Sequence, residues 1–194
     1  MAGNLIKKFK NSQSLKRLKN QDRDAFTKAY DDNIDDIYRF VYFKIGSREE
    51  ANDLTSTVFL KTWSHIQTNS LESSKTLRAL LYKVARTTII DYYRESGRKI
   101  TASLDDEENK IDIADESSFD FNEKIDEASD IALIKGKLPL LKEEYREVII
   151  MRFINDLTLE EIADISGKKK GTVRVLLHRA LSALKELVKE DDKL

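Results

Sequence analysis

The chain has 194 residues, of which 36% are charged and 40% are hydrophobic, and its formal net charge is −1. It has no cysteine, which excludes disulfide bonds and zinc–thiolate sites. Two histidines far apart in the sequence give no metal-binding spacing, so we expect neither a metal nor another cofactor. Six glycines and one proline favour helices over strands and turns. No apolar run approaches the ~20 residues of a membrane helix and no signal peptide is evident, so we expect a cytoplasmic protein.

The near-neutral total hides an uneven distribution of charge. Residues 104–130 contain twelve acidic residues and two lysines, a charge of −10, which leaves +9 for the remainder. Two basic parts flanking an acidic segment are typical of proteins that contact nucleic acid through the basic parts. From charge alone, a solvated acidic loop explains the pattern equally well.

The first half has helical spacing after a basic N-terminal tail, residues 1–22. One apolar stripe consists of Phe26, Tyr30, Ile34, Ile37, Val41 and Ile45. Gly46 is expected to end that helix, and Ser47 with Glu50 forms a capping box for the next one. A third helix begins near Leu77. These three helices predict a compact domain over residues 23–99.

The acidic stretch interrupts this pattern and predicts a flexible linker over residues 100–130, because it cannot bury enough apolar surface to offset its ordering entropy. Its 31 residues could span up to ~100 Å at ~3.3 Å per residue. Helical spacing resumes over residues 131–194. There, "LPLLKEEYREVIIMRF" is predicted to be one helix with Pro139 near its start.

The segment "LTLEEIADISGKKKGTVRVLLHRAL" predicts a helix-turn-helix. Thr158 with Glu161 is a second capping box, and Gly167 permits a tight turn. The second helix carries a buried stripe made of Val173, Leu177, Ala180, Leu181 and Leu184. In this motif the first residues of the second helix enter the major groove, where an arginine such as Arg174 can pair with guanine. A helical hairpin with a solvated basic turn is the alternative.

The C-terminal motifs resemble bacterial sigma factors of the extracytoplasmic-function group. They are Leu-Pro at 138–139, Arg-Glu-Val at 146–148, Glu-Ile-Ala at 161–163, Gly-Thr-Val at 171–173 and Arg-Ala at 179–180. In the first half, "ANDLTSTVFLKTW" resembles the family's polymerase-clamp segment, and "LRALLYKVARTTIIDYYRESGRK" resembles its −10 melting segment. The resemblance implies an all-α fold of two small helical domains joined by the flexible acidic linker, the C-terminal one a helix-turn-helix.

The resemblance also implies partners and site residues: core RNA polymerase, through the clamp of its largest subunit, and promoter DNA. Contacts to polymerase are expected from Asp53, Leu54, Ser56, Phe59, Leu60 and Trp63. Contacts to the −10 element are expected from Arg86, Thr87, Asp91, Tyr92, Arg94, Arg98 and Lys99. Contacts to the −35 element are expected from Lys168, Lys169, Lys170, Thr172, Arg174, Val175, His178 and Arg179. An anti-sigma factor is a further partner that the resemblance allows.

Several positions leave alternatives open. Tyr92 fits a core residue as well as a base-stacking one, and Trp63 fits the core better than a contact. Ser56-Thr57, Thr87 and Lys168-Lys169 depart from the family pattern, which leaves the residues that contact the clamp and the bases less defined.

The pattern contains no catalytic constellation, so we expect no enzymatic activity. We therefore expect a sigma factor that brings core polymerase to promoters, recognises the −35 and −10 elements and helps melt the DNA. A stand-alone helix-turn-helix regulator bound to operator DNA and a helical interaction protein are the alternatives, and neither accounts for both motif sets.

Overall fold

The computed structural model describes residues 17, 18, 20, 22–68, 76–97 and 136–191, and these form an all-α fold. The first half contains α1 (Arg23–Asp31), α2 (Ile34–Ile45), α3 (Arg48–Thr68) and α4 (Leu77–Glu95). The second half contains α5 (Glu143–Ile149), α6 (Leu159–Ser166) and α7 (Lys170–Asp191). We call these the N-terminal and C-terminal helices. The predicted linker and most of the basic tail lie outside the described residues.

The first predicted helix is in fact two helices, because the helical conformation ends at Asp31 and begins again at Ile34. Asn33 donates from its side-chain amide to the carbonyl of Ala29, 2.8 Å away. A side chain that bonds locally to the backbone in this way competes with continued helix. The apolar stripe nevertheless continues from α1 into α2, where its residues change from half-buried (Phe26 and Tyr30) to buried (Ile37 and Val41).

The predicted helix "LPLLKEEYREVIIMRF" is three segments rather than one. Pro139 lies in a 3-10 turn, Leu138–Leu140, and the extended backbone of Leu141 separates that turn from α5. The helix then widens into a π-helical turn, Ile150–Ile154, which ends with the amide of Asn155 donating to the carbonyl of Ile150.

The predicted helix boundaries around the two glycines are confirmed. Gly46 and Gly167 end α2 and α6 in the left-handed conformation, with φ of 84° and 72°. At the start of α6, Thr158 and Glu161 form both bonds of the capping box. The first helix of the helix-turn-helix therefore begins and ends where the sequence predicts, at the Thr158 cap and at Gly167.

The two halves share one apolar core. Ile37 and Phe40 of α2 belong to the same buried cluster as Ile150 of the π-helical turn and Ile162 of α6, and each of these is fully buried. Helix α2 packs on the π-helical turn and α4 packs on α6. We call this junction of N-terminal and C-terminal helices the seam. In the described residues, no helix is long and apolar enough to cross a membrane.

Candidate nucleic-acid interface

Helix α7 has a buried side and a basic exposed side. Val173 and Ala180 have no exposed surface, and they fix the rotation of the helix against α5 and α6. The opposite side exposes the predicted −35 residues Lys169, Lys170, Thr172, Arg174, His178 and Arg179, while Lys168 and Val175 are half-buried. The structure thus brings all eight predicted −35 residues to one helix and its leading turn.

Two lysines of that turn already have carboxylate partners. Lys168 pairs with Glu144 at 3.2 Å, and Lys170 pairs with Glu160. The hydrogen bond from Lys170 lowers the pKa of Glu160 below its usual value. Exposed ion pairs contribute little to stability, about 0–1 kcal/mol, so phosphates can replace these carboxylates at small cost.

Helix α4 divides the predicted −10 residues between two faces. Thr87 and Arg94 lie on the exposed face, beside Ile90. Asp91 is half-buried there and pairs with Lys61 of α3 at 3.3 Å. Tyr92 is half-buried and its ring stands edge-on to Tyr93. Arg98 and Lys99 lie outside the described residues.

Arg86, by contrast, faces the seam. Its Nε lies 2.8 Å from Glu147 Oε1, and its Nη1 donates to the carbonyl of Ile165 at 3.2 Å. One turn earlier, Lys83 Nζ lies 3.3 Å from Asp164 Oδ1. The two basic residues of this face are therefore bonded to C-terminal helices.

The predicted polymerase contacts on α3 divide between surface and core. Asp53, Ser56 and Leu60 are exposed, Leu60 to 67%. Leu54 and Trp63 are half-buried, and Trp63 stands edge-on to Phe26.

Phe59 is largely buried, because it is only 4% exposed and its ring lies 4.6 Å from that of Tyr30. In this structure it packs in the core beneath the α3 surface, and its contact with polymerase stays a prediction.

A buried charge cluster at the seam was not predicted from the sequence. Lys44, at the end of α2, has a side chain that is 4% exposed and pairs with Glu143 and, at 3.4 Å, with Glu147. Arg146 pairs with Glu143 within α5. Burial alone would raise the pKa of Glu143, but the charges and hydrogen bonds of Lys44 and Arg146 outweigh it and lower that pKa. This carboxylate is therefore held in its ionised form.

Arg78 joins the two halves at a second point on the seam. Its guanidinium donates to Asp36 at 2.8 Å and to the carbonyl of Asn155 at 2.9 Å, and it lies 3.7 Å from Glu161. The side-chain amide of Asn155 donates to the carbonyl of Asp36 in return, at 2.8 Å. In the sequence, only Arg78, Lys83 and Arg86 could have indicated these contacts, because they are basic residues on a largely buried helix.

Comparison with known proteins agrees with these two sets of helices. Residues 29–99 match the family model described as Sigma-70 region 2, and residues 132–184 match Sigma-70, region 4.

The curated relatives are sigma factors. RNA polymerase sigma factor SigV of Bacillus subtilis is 31% identical over 163 residues, covering 82% of this chain and 89% of that protein. ECF RNA polymerase sigma factor SigW of the same organism is 28% identical and covers 91% and 95%. ECF RNA polymerase sigma factor BldN of Streptomyces coelicolor is 27% identical over 91% of this chain, which spans 65% of that relative's length.

Two solved structures share the fold. CnrH, in complex with the cytosolic domain of CnrY, aligns with a TM-score of 0.67 and 17% identity, covering 93% of this chain and 98% of that one. The sigma factor RpoE of Bartonella quintana, in complex with the anti-sigma factor NepR, aligns with a TM-score of 0.59 and 24% identity, covering 84% and 96%.

These matches define a class of protein with two helical regions, the sigma factors of RNA polymerase. The chain belongs to the extracytoplasmic-function (ECF) group of that family. It is a sigma factor, the kind of subunit that directs RNA polymerase to promoters. Its relatives are sigma factors, which are not enzymes.

Proposed function

We propose that this sigma factor binds core polymerase through α3, the −10 element through α4 and the −35 element through α7. The polymerase would perform the chemistry, and the chain would supply promoter choice and help to open the duplex. The observation that carries this proposal is the basic exposed side of α7, held in place by the fully buried Val173 and Ala180. A helix fixed in this way can present the same side chains to every promoter.

Contacts to bases and to phosphates are assigned by chemistry. Arg174 is exposed near the start of α7, where a recognition helix reaches base edges, and its guanidinium can bind guanine through two hydrogen bonds. Lys168 and Lys170 precede it in the turn and exchange exposed carboxylates for phosphates. We assign sequence choice to Arg174 and sequence-independent affinity to the lysines.

The polymerase contact is assigned to the exposed side of α3. Leu60 is the most exposed large hydrophobic side chain among the described residues, and Asp53 lies two turns before it on the same helix. Both side chains are therefore accessible to a partner protein. We propose the clamp of the largest polymerase subunit as the partner, as the family resemblance implies.

We further propose an anti-sigma factor as a partner, since the similar RpoE structure is a complex with the anti-sigma factor NepR. Because core polymerase and promoter DNA are its other proposed partners, we assign its action to the cytoplasm and no catalytic activity to the chain itself.

Transcription with purified core polymerase tests this function. The template would be a pool of promoter fragments randomised at the −35 and −10 positions, and the transcripts would be sequenced. We expect transcripts only when the chain is present, enriched for one −35 and one −10 sequence. A regulator that binds operators alone would select one DNA sequence without polymerase and would leave transcription dependent on another sigma factor.

A further inference from the structure

We infer that the basic N-terminal tail docks in an acidic groove between the α1–α2 corner and α3, where it covers part of the surface proposed to bind polymerase. The groove has a volume of about 300 Å³. Its occupant is the part of the tail that precedes Arg17, residues 1–16. The contact between tail and groove is independent of the proposed function, whereas its consequence, competition with polymerase for α3, rests on that function.

The chemistry of the groove suits a lysine side chain. Two aromatic rings, one carboxylate and three polar side chains of α3 line it, namely Tyr30, Tyr38, Asp35, Asn52, Thr55 and Ser56. The hydroxyl groups of Thr55 and Ser56 donate to carbonyls of their own helix, at 2.6 Å and 3.1 Å, so toward a ligand they can only accept. An ammonium group donates to such oxygens and is attracted to the face of a tyrosine ring. The groove therefore offers acceptors and aromatic surface to a cation.

The corner between α1 and α2 carries an excess of exposed carboxylates. Asp31, Asp32 and Asp35 are exposed, and in the described part of the chain none of the three forms an ion pair. The neighbouring Asp36 differs, since it pairs with Arg39 and Arg78. Like charges at this spacing repel one another, so an occupant with several positive charges lowers the free energy of the corner.

The tail has the complementary charge. Residues 1–16 contain Lys7, Lys8, Lys10 and Lys16 and no acidic residue. Phe9 lies among these lysines and can add aromatic contact with the tyrosines of the groove. The segment Lys7–Lys10 therefore combines the cations and the aromatic side chain that the groove fits.

The point at which the tail joins the fold lies within reach of the groove. Leu18 is 1% exposed and packs against α3 and α4, and the side-chain amide of Gln67 donates to its carbonyl at 3.3 Å. Helix α1 leads from there to the groove, because Asp22 and Tyr30 are eight residues apart, about 12 Å at ~1.5 Å per residue. Residues 1–16 could span up to ~50 Å at ~3.3 Å per residue.

Docking of the tail would compete with polymerase because the two surfaces overlap. Ser56 lines the groove and is one of the predicted polymerase contacts, and Asp53, another of them, follows the groove residue Asn52 in the chain. A short tether gives the tail an effective concentration on the order of 1 mM, so a contact that is weak in free solution is populated within one chain. Polymerase must displace the tail before it contacts Ser56.

The first experiment locates the tail in the full-length chain. Because the chain has no cysteine, Asn4→Cys can carry a nitroxide label, which broadens the NMR signals of nearby residues. We expect broadening at Tyr30, Asp35 and Asn52. It should fade at 1 M salt, where the Debye length falls to ~3 Å.

A charge exchange tests whether the ionic contact holds the tail. Reversal of the groove, Asp31→Lys with Asp32→Lys and Asp35→Lys, should abolish the broadening. Adding Lys7→Glu, Lys8→Glu and Lys10→Glu to that variant should restore it. The matched control reverses three exposed carboxylates elsewhere and should leave the broadening unchanged: Asp24→Lys, Glu95→Lys and Glu186→Lys. If the groove reversal fails to fold, as judged by circular dichroism, the corresponding three Asp→Asn changes replace it.

The second experiment measures the affinity of core polymerase for the chain. Lys7→Gln with Lys8→Gln and Lys10→Gln should bind about threefold more tightly than wild type, which corresponds to a tail that occupies the groove about two thirds of the time. Lys185→Gln with Lys189→Gln, on the exposed side of α7, should leave the affinity unchanged.

Four results would overturn the inference. The first is broadening near Gln67 without broadening at the groove. The second is equal broadening when the nitroxide is on one chain and the NMR isotope on another, which would assign the groove to a second copy. The third is weaker polymerase binding after groove reversal with no effect of the tail variant, which would assign the groove to a basic segment of polymerase. The fourth is a docked tail whose neutralisation leaves polymerase affinity unchanged.

Failure of the proposed function would look different. A wild-type chain that does not bind core polymerase would count against that function, and the NMR broadening would still decide whether the tail docks in the groove.

Discussion

The two helices proposed to face DNA differ in what surrounds their basic residues. On α7, Arg174 and Arg179 lie exposed to solvent. On α4, Lys83 and Arg86 are bonded to carboxylates and carbonyls of the C-terminal helices. The same side-chain chemistry therefore occurs in two settings: α7 exposes Arg174 and Arg179 to solvent, whereas α4 bonds Lys83 and Arg86 to the other half of the protein.

This difference follows from where the apolar residues lie. Helix α7 buries Val173 and Ala180 and exposes its other side to solvent. Helix α4 buries residues on several sides, including Leu81, Ala85 and Ile89. A helix that is mostly enclosed can carry a charge only where a partner compensates it. Lys83 and Arg86 of α4 therefore depend on the C-terminal helices in a way that Arg174 and Arg179 of α7 do not.

The largest expected effect comes from removing the buried cation of the seam. Lys44→Met should lower the free energy of unfolding by about 3 kcal/mol, because it leaves the half-buried Glu143 and the buried Glu147 with one partner fewer. Urea unfolding monitored by circular dichroism measures this loss.

Lys61→Met is the matched control, since its pair with Asp91 is about half exposed and should cost less than about 1 kcal/mol. Equal losses for the two variants would contradict the view that the seam differs from the surface.

The exposed side of α7 should respond differently, in DNA binding and not in stability. Arg174→Ala should lose about 1–3 kcal/mol of −35 duplex binding and relax sequence choice at one position. Lys170→Ala should weaken all sequences alike and reduce the salt slope by about 1. Binding of a set of single-base duplex variants at several salt concentrations distinguishes the two. The same uniform loss for both would contradict the separation of base and phosphate contacts.

A third surface sharpens the comparison, because α3 presents its proposed contact away from the seam. Asp53→Arg should weaken binding to core polymerase by about tenfold, roughly 1.4 kcal/mol, through charge reversal at an exposed site. Helical content should stay unchanged. Glu186→Arg is the control, since it reverses an exposed charge on α7. Co-purification of Asp53→Arg with polymerase at the wild-type level would argue against α3 as the contact.

Sequence reasoning worked where the signals were local. The capping box of Thr158 and Glu161 and the turn at Gly167 lie within ten residues of one another, so the helix-turn-helix was predicted correctly. The seam could not be predicted in this way, because Lys44 and Glu147 are 103 residues apart and neither belongs to a local motif.

Periodicity also could not separate Phe59 from Leu60. Both are apolar neighbours on α3, yet the structure buries the first and exposes the second. The break at Asn33 was missed because the apolar stripe continues across it, and the stripe does not encode the side-chain hydrogen bond that Asn33 makes there.

The smallest expected effect is a dependence of stability on pH that belongs to the seam. The pKa of Glu143 is lowered below its usual value near 4.5, because Lys44 and Arg146 outweigh the opposing effect of burial. A carboxyl group with a lowered folded-state pKa contributes stability that is fully present above its unfolded pKa and is lost as pH falls through the folded value. Glu143→Gln should therefore be less stable than wild type at pH 7, and the difference should shrink as the pH falls below about 4.5.

Urea unfolding of both proteins between pH 7 and pH 3.5 measures this difference. Glu186→Gln is the matched control variant, because it removes one exposed carboxylate of α7 outside the seam. A constant difference between Glu143→Gln and wild type across that range would mean that Glu143 stabilises the seam by packing, and that its charge is not what holds Lys44.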